Sequence, residues 1–385
     1  MRLAIIRRRY NPYGGAERFI ERLIPKLAER GIDTTIIAQQ WQSEPIATAV
    51  ITVPAWGISR RTKFQSFQNA VTDALKQCAK DGNGFDLVQS HERITGVDIF
   101  RLGDGVHAAW LDRLRKTISG LRALWLGMDS FHNAVIAAER AMARDPNLHF
   151  VANSSLVAKE VNDYLQVPQE RITLIPNGVD TKNFYPATDS QRHAAQEKLA
   201  LTLGLRIGPQ TLVVAVVGSG FERKGIFQLI QACAKLQDVV LLICGKDKKS
   251  GKATALIRKL DAENRIALTG PLQDVRPLLW AANVFTLPSL YDPSSNAVLE
   301  ALSCGLPVLV TQDVGMAWEI TDADAGLICE QSVASLLQAL RKCQDSERLR
   351  KMAYHARAFA LRYDQDQIID QWIDFYQTLR ARKRC

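Results

Sequence analysis

Two carboxylates, Asp292 and Glu300, stand eight positions apart in the stretch FTLPSLYDPSSNAVLEALSCGLPVLV, residues 285–310. Glu300 is set among Ala297, Val298, Leu299, Ala301 and Leu302. A carboxylate with apolar helix neighbours is costly unless something hydrogen-bonds to it, and a vicinal diol such as a ribose would do so. The plainer alternative puts Glu300 on the solvated edge of an ordinary helix. The pair is poorly placed to hydrolyse a glycoside, because two carboxylates so close together on one loop and helix do not flank a scissile bond well.

The second group is the loop GSGFERKG, residues 218–225. Gly218 and Gly220 let the backbone approach a ligand closely. Arg223 and Lys224 add a planar fork and a point charge that suit a pyrophosphate. A dinucleotide fingerprint is excluded, since GxGxxG would need Gly where Arg223 stands. GKDKKSGKA, residues 245–253, is not a Walker A loop: five residues separate Gly245 from Gly251, and Ala253 replaces the Ser or Thr. In the first half, Gly14 and Gly15 make a tight turn ahead of a helix, an arrangement that points N–H groups at anions. His91–Glu92 and His107 lie just beyond strand ends with Asp104 nearby, which makes them candidates for a cleft. For each histidine the alternative is a satisfied core or surface residue.

These groups need strands that end beside them. Strands are expected at 2–6, 34–38, 85–90, 97–100, 149–153, 172–175, 211–217, 239–244, 266–269, 285–287 and 308–310, with helices between. A short helix from Asn296 to Cys304 takes Ser294 or Ser295 as N-cap and Gly305 as the residue past its end. Residues 110–144 read as helical throughout, and Pro25 sits inside the first helix, where it would kink it. Strands alternating with helices in both halves predict an α/β protein of two doubly wound parallel sheets. The boundary is expected near Pro186, giving domains over 1–186 and 187–364.

With 385 residues the chain can bury two cores, and 47% hydrophobic with 23% charged residues is ordinary for a globular protein. Apolar runs such as 211–217 are too short to cross a bilayer. No secretory signal pattern is visible, and seven scattered cysteines without a CxxC pair predict a reducing cytoplasm with neither disulfides nor a zinc site. The formal charge of +9 calls for an anionic partner. No nucleic-acid-binding module is recognisable, so a phosphorylated substrate or an anionic membrane is expected instead. In 110–125, Arg113, Arg115, Lys116 and Arg122 stand beside Trp110, Leu114, Leu121, Leu124 and Trp125. That is the composition of an interfacial helix on anionic lipid; the alternative packs its apolar side on the protein's own sheet.

Taken in order, Gly14-Gly15, His107, RITLIPNGVD (171–180), GSGFERKG and LPSLYDPSSNAVLEALSCGLPVLV resemble the retaining GT-B glycosyltransferases of family 4 (group 1) over almost the whole chain. Asp292-x7-Glu300 looks like that family's E-x7-E signature, with Asp292 one methylene shorter than the usual Glu; Pro25 is a second departure. RRRYNPYGGAERF and DGVHAAW are similar to the branch that adds hexoses to the heptose region of lipopolysaccharide core. The resemblance implies two Rossmann-like domains facing a central cleft, with a last helix, about 365–385, crossing back to the first. Glu300 would hold the ribose diol of a nucleotide, and Asp292 with the backbone around Ser294, Ser295, Asn296 and Ala297 would bind the transferred sugar. Arg223 and Lys224, beside Gly218, would stabilise the diphosphate without a metal or other cofactor. His107 would lie by the donor sugar, Gly14 and Gly15 would flank diphosphate and acceptor, and His91, Glu92 and Asp104 would serve the acceptor side. The implied reaction moves a hexose, with retention, from UDP-glucose or another UDP-hexose or UDP-N-acetylhexosamine to a lipopolysaccharide-core acceptor at the cytoplasmic face of the inner membrane. The alternatives are another glycolipid or glycan acceptor, or non-catalytic nucleotide-sugar binding.

Overall fold

The computed structural model describes residues 1–9, 15–41, 49–118 and 120–384, without the side chains of 15–18, 121–124 and 384. The chain divides into two units, Met1–Asn177 with Gln367–Cys385, and Gly178–Asp366. In unit 1 the strands are β1 (Arg2–Ile6), β2 (Asp33–Ala38), β3 (Ala49–Thr52), β4 (Leu87–Ser90), β5 (Ile99–Leu102), β6 (His149–Ala152) and β7 (Ile172–Leu174). The helices between them are α1 (Gly15–Glu29), α2 (Arg60–Lys80), α3 (His107–Thr117), α4 (Leu121–Met128), α5 (Ser130–Arg144) and α6 (Ser155–Leu165). Unit 2 has β8 (Leu212–Val217), β9 (Val239–Cys244), β10 (Ile266–Gly270), β11 (Val284–Leu287), β12 (Val308–Thr311) and β13 (Gly326–Cys329). Its helices are α7 (Asp189–Leu203), α8 (Ile226–Ala234), α9 (Ser250–Lys259), α10 (Arg276–Ala281), α11 (Asn296–Ser303), α12 (Ala317–Asp322), α13 (Val333–Lys342) and α14 (Ser346–Leu361); α15 (Gln365–Arg384) closes the chain.

Both sheets are parallel and wound alike, β3-β2-β1-β4-β5-β6-β7 and β10-β9-β8-β11-β12-β13. Ile5 of β1 pairs with Ile36 on one side and Gln89 on the other. Val214 of β8 pairs likewise with Leu241 and Val284. The winding therefore reverses between β1 and β4 and between β8 and β11, and ligand crevices in such sheets open beyond the carboxyl ends of the strands at these points.

The cores follow from the two-residue period of a strand. In β1, Leu3 and Ile5 join Ile20, Leu23 and Leu27 of α1 and Trp372, Ile373 and Tyr376 of α15. Ala4 and Ile6 face the other way, onto Phe67 and Val71 of α2. The C-terminal helix thus shares the face that α1 covers, and the Tyr376 hydroxyl donates to Gln89 Oε1 at 2.7 Å. In unit 2, β8 and β9 are buried along nearly their whole length, as strands covered by helices on both faces must be.

Two features differ from the sequence reading. Residues 110–144 are not one helix. Ile118 leaves α3 in extended conformation, Gly120 has φ +61°, and Asp129 caps α5 by accepting from the N–H groups of Phe131 and His132. The units meet at Asn177–Gly178 rather than at Pro186. The strap after Gly178 is tied into unit 2: Ser303 Oγ and Arg357 Nη1 donate to Phe184 O at 2.7 and 2.8 Å, and Arg357 Nη2 donates to Thr181 O. Pro25 lies inside α1, as read, and the helix runs to Glu29.

Candidate functional site

In unit 2 the winding reversal brings two loops together, 218–225 after β8 and 288–295 after β11. Gly218 has φ +142°, and a Cβ there would meet Lys224 Nζ at 2.5 Å and Cε at 2.7 Å. Glycine is what lets the Lys224 stem fold across the loop. The ammonium is buried, 3.5 Å from Asp292 Oδ2, and Arg223 Nη1 lies 3.7 Å from the same oxygen. Burial lowers the pKa of Lys224, with Asp292 opposing and Arg223 adding to the shift. Arg223 is aimed by its bonds to Tyr291 O and, at 3.5 Å, Ser289 Oγ. Its own carbonyl accepts from Leu290 N at 2.7 Å and Gln331 Nε2 at 2.9 Å. Gln331 also donates to Pro288 O, so one amide staples the two loops.

Asp292 is held from the backbone. Its N–H donates to Asp313 O at 3.1 Å and its carbonyl accepts from Gly315 N at 2.8 Å. Four residues later α11 begins. Ser295, not Ser294, is the N-cap, accepting from Val298 N, and Gly305 with φ +71° follows the last turn. The first N–H groups of a helix lack partners within it and suit anionic or hydroxyl oxygens; here they belong to Asn296 and Ala297. Glu300 is buried among fully buried Leu299, Ala301 and Leu302, so the solvated-edge alternative is wrong. Helical side chains lean towards the N-terminus, which carries the Glu300 carboxylate back towards Asn296. Contacts join Gly218, Arg223, Lys224 and Asp292, and Ser294, Ser295, Asn296, Ala297 and Glu300 follow Asp292 in the adjoining loop and α11.

The unit 1 residues fall at the carboxyl ends of β4 and β5. His107 opens α3, and its N–H donates to both oxygens of Glu139, at 3.0 and 3.1 Å. Glu139 is fully buried and also accepts from Arg93 Nε at 3.1 Å, while Arg93 Nη2 donates to Gly105 O. The His107 ring pairs with His132, Nε2 to Nδ1 at 2.9 Å. Burial first, then the charges of Arg93, His132 and Arg60, push His107 down to about 4. It is a neutral imidazole at any ordinary pH.

His91 is not poised for an acceptor. It is 3% exposed, its Nε2 lies 3.0 Å from Gln89 Nε2, and burial with Arg101 and Arg7 keeps it uncharged. Glu92 is occupied with Arg7 Nη1 at 3.4 Å and the N–H of Arg8 at 3.1 Å. Asp104 reaches solvent, 4.0 Å from Arg93. Gly15 is the first residue of α1, and Gly14 lies outside the described residues. Asp247, Gln331, Glu139 and Arg93 were not anticipated. Among the described residues no three His, Cys, Asp or Glu side chains gather as metal ligands.

The sequence matches the family described as Glycosyl transferases group 1 over residues 205–359 and Glycosyltransferase Family 4 over residues 13–183. It is 25% identical over 361 residues to the lipopolysaccharide glucosyltransferase WaaG of Escherichia coli K12, covering 91% of this chain and 92% of that one. The solved structure of WaaG, a glycosyltransferase involved in lipopolysaccharide biosynthesis, superposes with a TM-score of 0.81 at 25% identity, over 97% and 99% of the two chains. Anabaena HepE in complex with UDP and glucose shares the fold, with a TM-score of 0.72 at 18% identity over 98% and 100%. With one match in each half and a like fold throughout, the chain belongs to the GT-B glycosyltransferases of group 1 and family 4.

Proposed function

We propose that this chain is a retaining hexosyltransferase that uses a UDP-linked hexose and acts on a lipopolysaccharide-core acceptor. One observation carries the donor reading: two adjacent cations, buried Lys224 and part-exposed Arg223, sit against Asp292 at the β8–β11 reversal, with buried Glu300 in the first turns of the helix that follows. In this reading Glu300 accepts from both ribose hydroxyls. Asp292 and the first amides of α11 hold the hexose hydroxyls. As the bond from the anomeric carbon to phosphate oxygen breaks, negative charge builds on the diphosphate, and the two cations are already in place to meet it. The acceptor oxygen bonds to the anomeric carbon from the face the phosphate leaves, and a leaving phosphate oxygen takes the acceptor's proton. The cation pair gives this step its electrostatic support without calling on a metal. The name of the Escherichia coli relative supports the choice of acceptor.

A thermal-shift panel of nucleotides and nucleotide sugars at fixed salt tests the donor reading. A ligand at a hundred times its Kd should stabilise by about 2.7 kcal/mol, so UDP and one UDP-hexose should stand out by several degrees. A flat panel would refute the assignment.

The same proposal places the chain on the cytoplasmic face of an anionic membrane through residues 110–125. Trp125 and Met128 are exposed at 68% and 66%, which supports it. Arg113 is not available to lipid, because it bonds to Glu160 at 2.8 Å. No helix among the described residues is long and apolar enough to cross a membrane, so contact would be interfacial. The chain should sediment with phosphatidylglycerol-containing vesicles at low salt, and Trp125→Ala should weaken this severalfold. Equal behaviour with purely zwitterionic vesicles would rule it out.

A further inference from the structure

Glycine loops after the first strand of a parallel sheet ordinarily offer their own N–H groups to phosphate. Here those groups are already taken. Asp247 Oδ2 accepts from Gly220 N at 2.8 Å and Phe221 N at 3.3 Å, reaching across from the loop after β9. The Asp247 side chain is itself fixed at its other oxygen, which accepts from Lys249 N at 2.8 Å, and its own N–H donates to Ser250 Oγ at 3.1 Å. Burial works against its charge, yet the N–H groups of Lys249, Gly220 and Phe221 together hold the carboxyl below its usual range. The two loops are also locked by backbone. Gly218 N donates to Cys244 O at 2.8 Å, and a Cβ at Gly245 would stand 2.2 Å from Gly218 O. Lys249 completes the seam with an ion pair to Glu222.

We propose that Asp247 is the positioning residue of the diphosphate site: it fills the amide pocket of the glycine loop, fixing the turn from which Arg223 and Lys224 project, so that side chains rather than loop amides receive the diphosphate. The reason is geometric. Gly220 and Phe221 precede Arg223 by three and two residues, and Lys224 N donates back to Gly220 O at 2.9 Å. A change in the Gly220 peptide therefore moves both cations. Asp247 touches neither donor nor reacting atoms and acts only through this turn. The inference rests on the donor-site reading above.

The test compares UDP with uridine, which lacks the diphosphate, by calorimetric titration of the full chain. Asp247→Ala is expected to weaken UDP about tenfold, the loss of charge-assisted bonds that order the loop, and to leave uridine within about twofold. Asp247→Asn keeps one acceptor oxygen and should recover about half of the loss on a logarithmic scale. UDP affinity unchanged in Asp247→Ala would overturn the inference alone, and so would equal losses for UDP and uridine, which mark general damage. Failure of the unsubstituted chain to bind UDP would overturn the donor reading itself, and this inference with it.

Discussion

Replacing Lys224 by Ala should cut sugar transfer by about a hundred- to a thousandfold, the usual consequence of removing one preorganised group from developing charge. UDP binding should fall much less. The diphosphate already carries charge when bound, but the break to the sugar adds more, and only the interaction with that added charge speeds the reaction. Lys224 is suited to this because it is buried and 3.5 Å from Asp292, so its charge acts in a medium of low effective dielectric. Arg223, held by Tyr291 O and Ser289 Oγ, stays in place when the lysine is gone, so the fold and part of the binding should survive. Lys224→Arg should rescue poorly: the lysine stem lies close against Gly218, and a planar guanidinium differs in shape from the compact ammonium it replaces. The sign of the pH effect follows from the lowered pKa of Lys224. The ammonium is intact below that value and lost as pH rises through it, earlier than for an exposed lysine. The alkaline fall in turnover should therefore be present in the unsubstituted chain and absent from Lys224→Ala. Transfer within about tenfold of normal in Lys224→Ala would remove the cation pair from the mechanism.

Much of this site could be read from residues alone because its parts are local. A strand, a glycine loop with two adjacent cations, and a capped helix each announce themselves over about ten residues, and their common location follows once the sheet is known to be doubly wound. What could not be read is held by contacts far apart in sequence. Asp247 lies in a loop whose spacing only excluded a nucleotide-triphosphate pattern, and its bonds to Gly220 and Phe221 cross between strands. Gln331 staples Arg223 to Pro288 from 43 residues beyond Pro288. Glu139 carried the same signal as Glu300, a carboxylate among apolar helix neighbours in NAVIAAERAMA. Its partner turned out to be protein, the N–H of His107 and Arg93, rather than a ligand. Burial of a carboxylate thus says that a donor must be found, not whose it is. The break of 110–144 into α3, α4 and α5 was hidden for another reason. Helical periodicity survives a break, and only the φ of Gly120 and the capping geometry of Asp129 reveal it. The shift of the unit boundary to Asn177–Gly178 has the same character, since a polar, proline-containing strap looks like a linker until Arg357 and Ser303 are seen to hold it.

Glu300→Ala and Asp292→Ala should separate the two halves of the donor. Glu300→Ala removes an acceptor for both ribose hydroxyls. Hydrogen bonds to a charged group contribute about 1.5–3 kcal/mol, so UDP should bind about ten- to a hundredfold more weakly. The loss should be the same for UDP and UDP-hexose. The sharper readout uses 2′-deoxy-UDP. The unsubstituted chain should prefer UDP over it, and Glu300→Ala should not, which is the coupling a double-mutant cycle measures between two groups in contact. Asp292→Ala should behave in the opposite way. Its carboxylate lies 3.5 Å from Lys224 and 3.7 Å from Arg223, so removing it frees both cations for the diphosphate. UDP should bind as well as before or slightly better, while the UDP-hexose loses about tenfold because its sugar hydroxyls no longer find an acceptor. The shorter reach of Asp292 bears on this directly. Asp292→Glu carries the carboxylate one methylene nearer the sugar and further from the cations, and should change the preference among UDP-hexoses while leaving UDP unaffected. Equal losses of UDP in the two alanine variants, or a retained preference for the 2′-hydroxyl in Glu300→Ala, would refute the division of ribose and hexose between these carboxylates. The contrast is what makes the pair decisive: general damage to the loop can weaken UDP in both variants, but it cannot weaken UDP in Glu300→Ala while sparing it in Asp292→Ala.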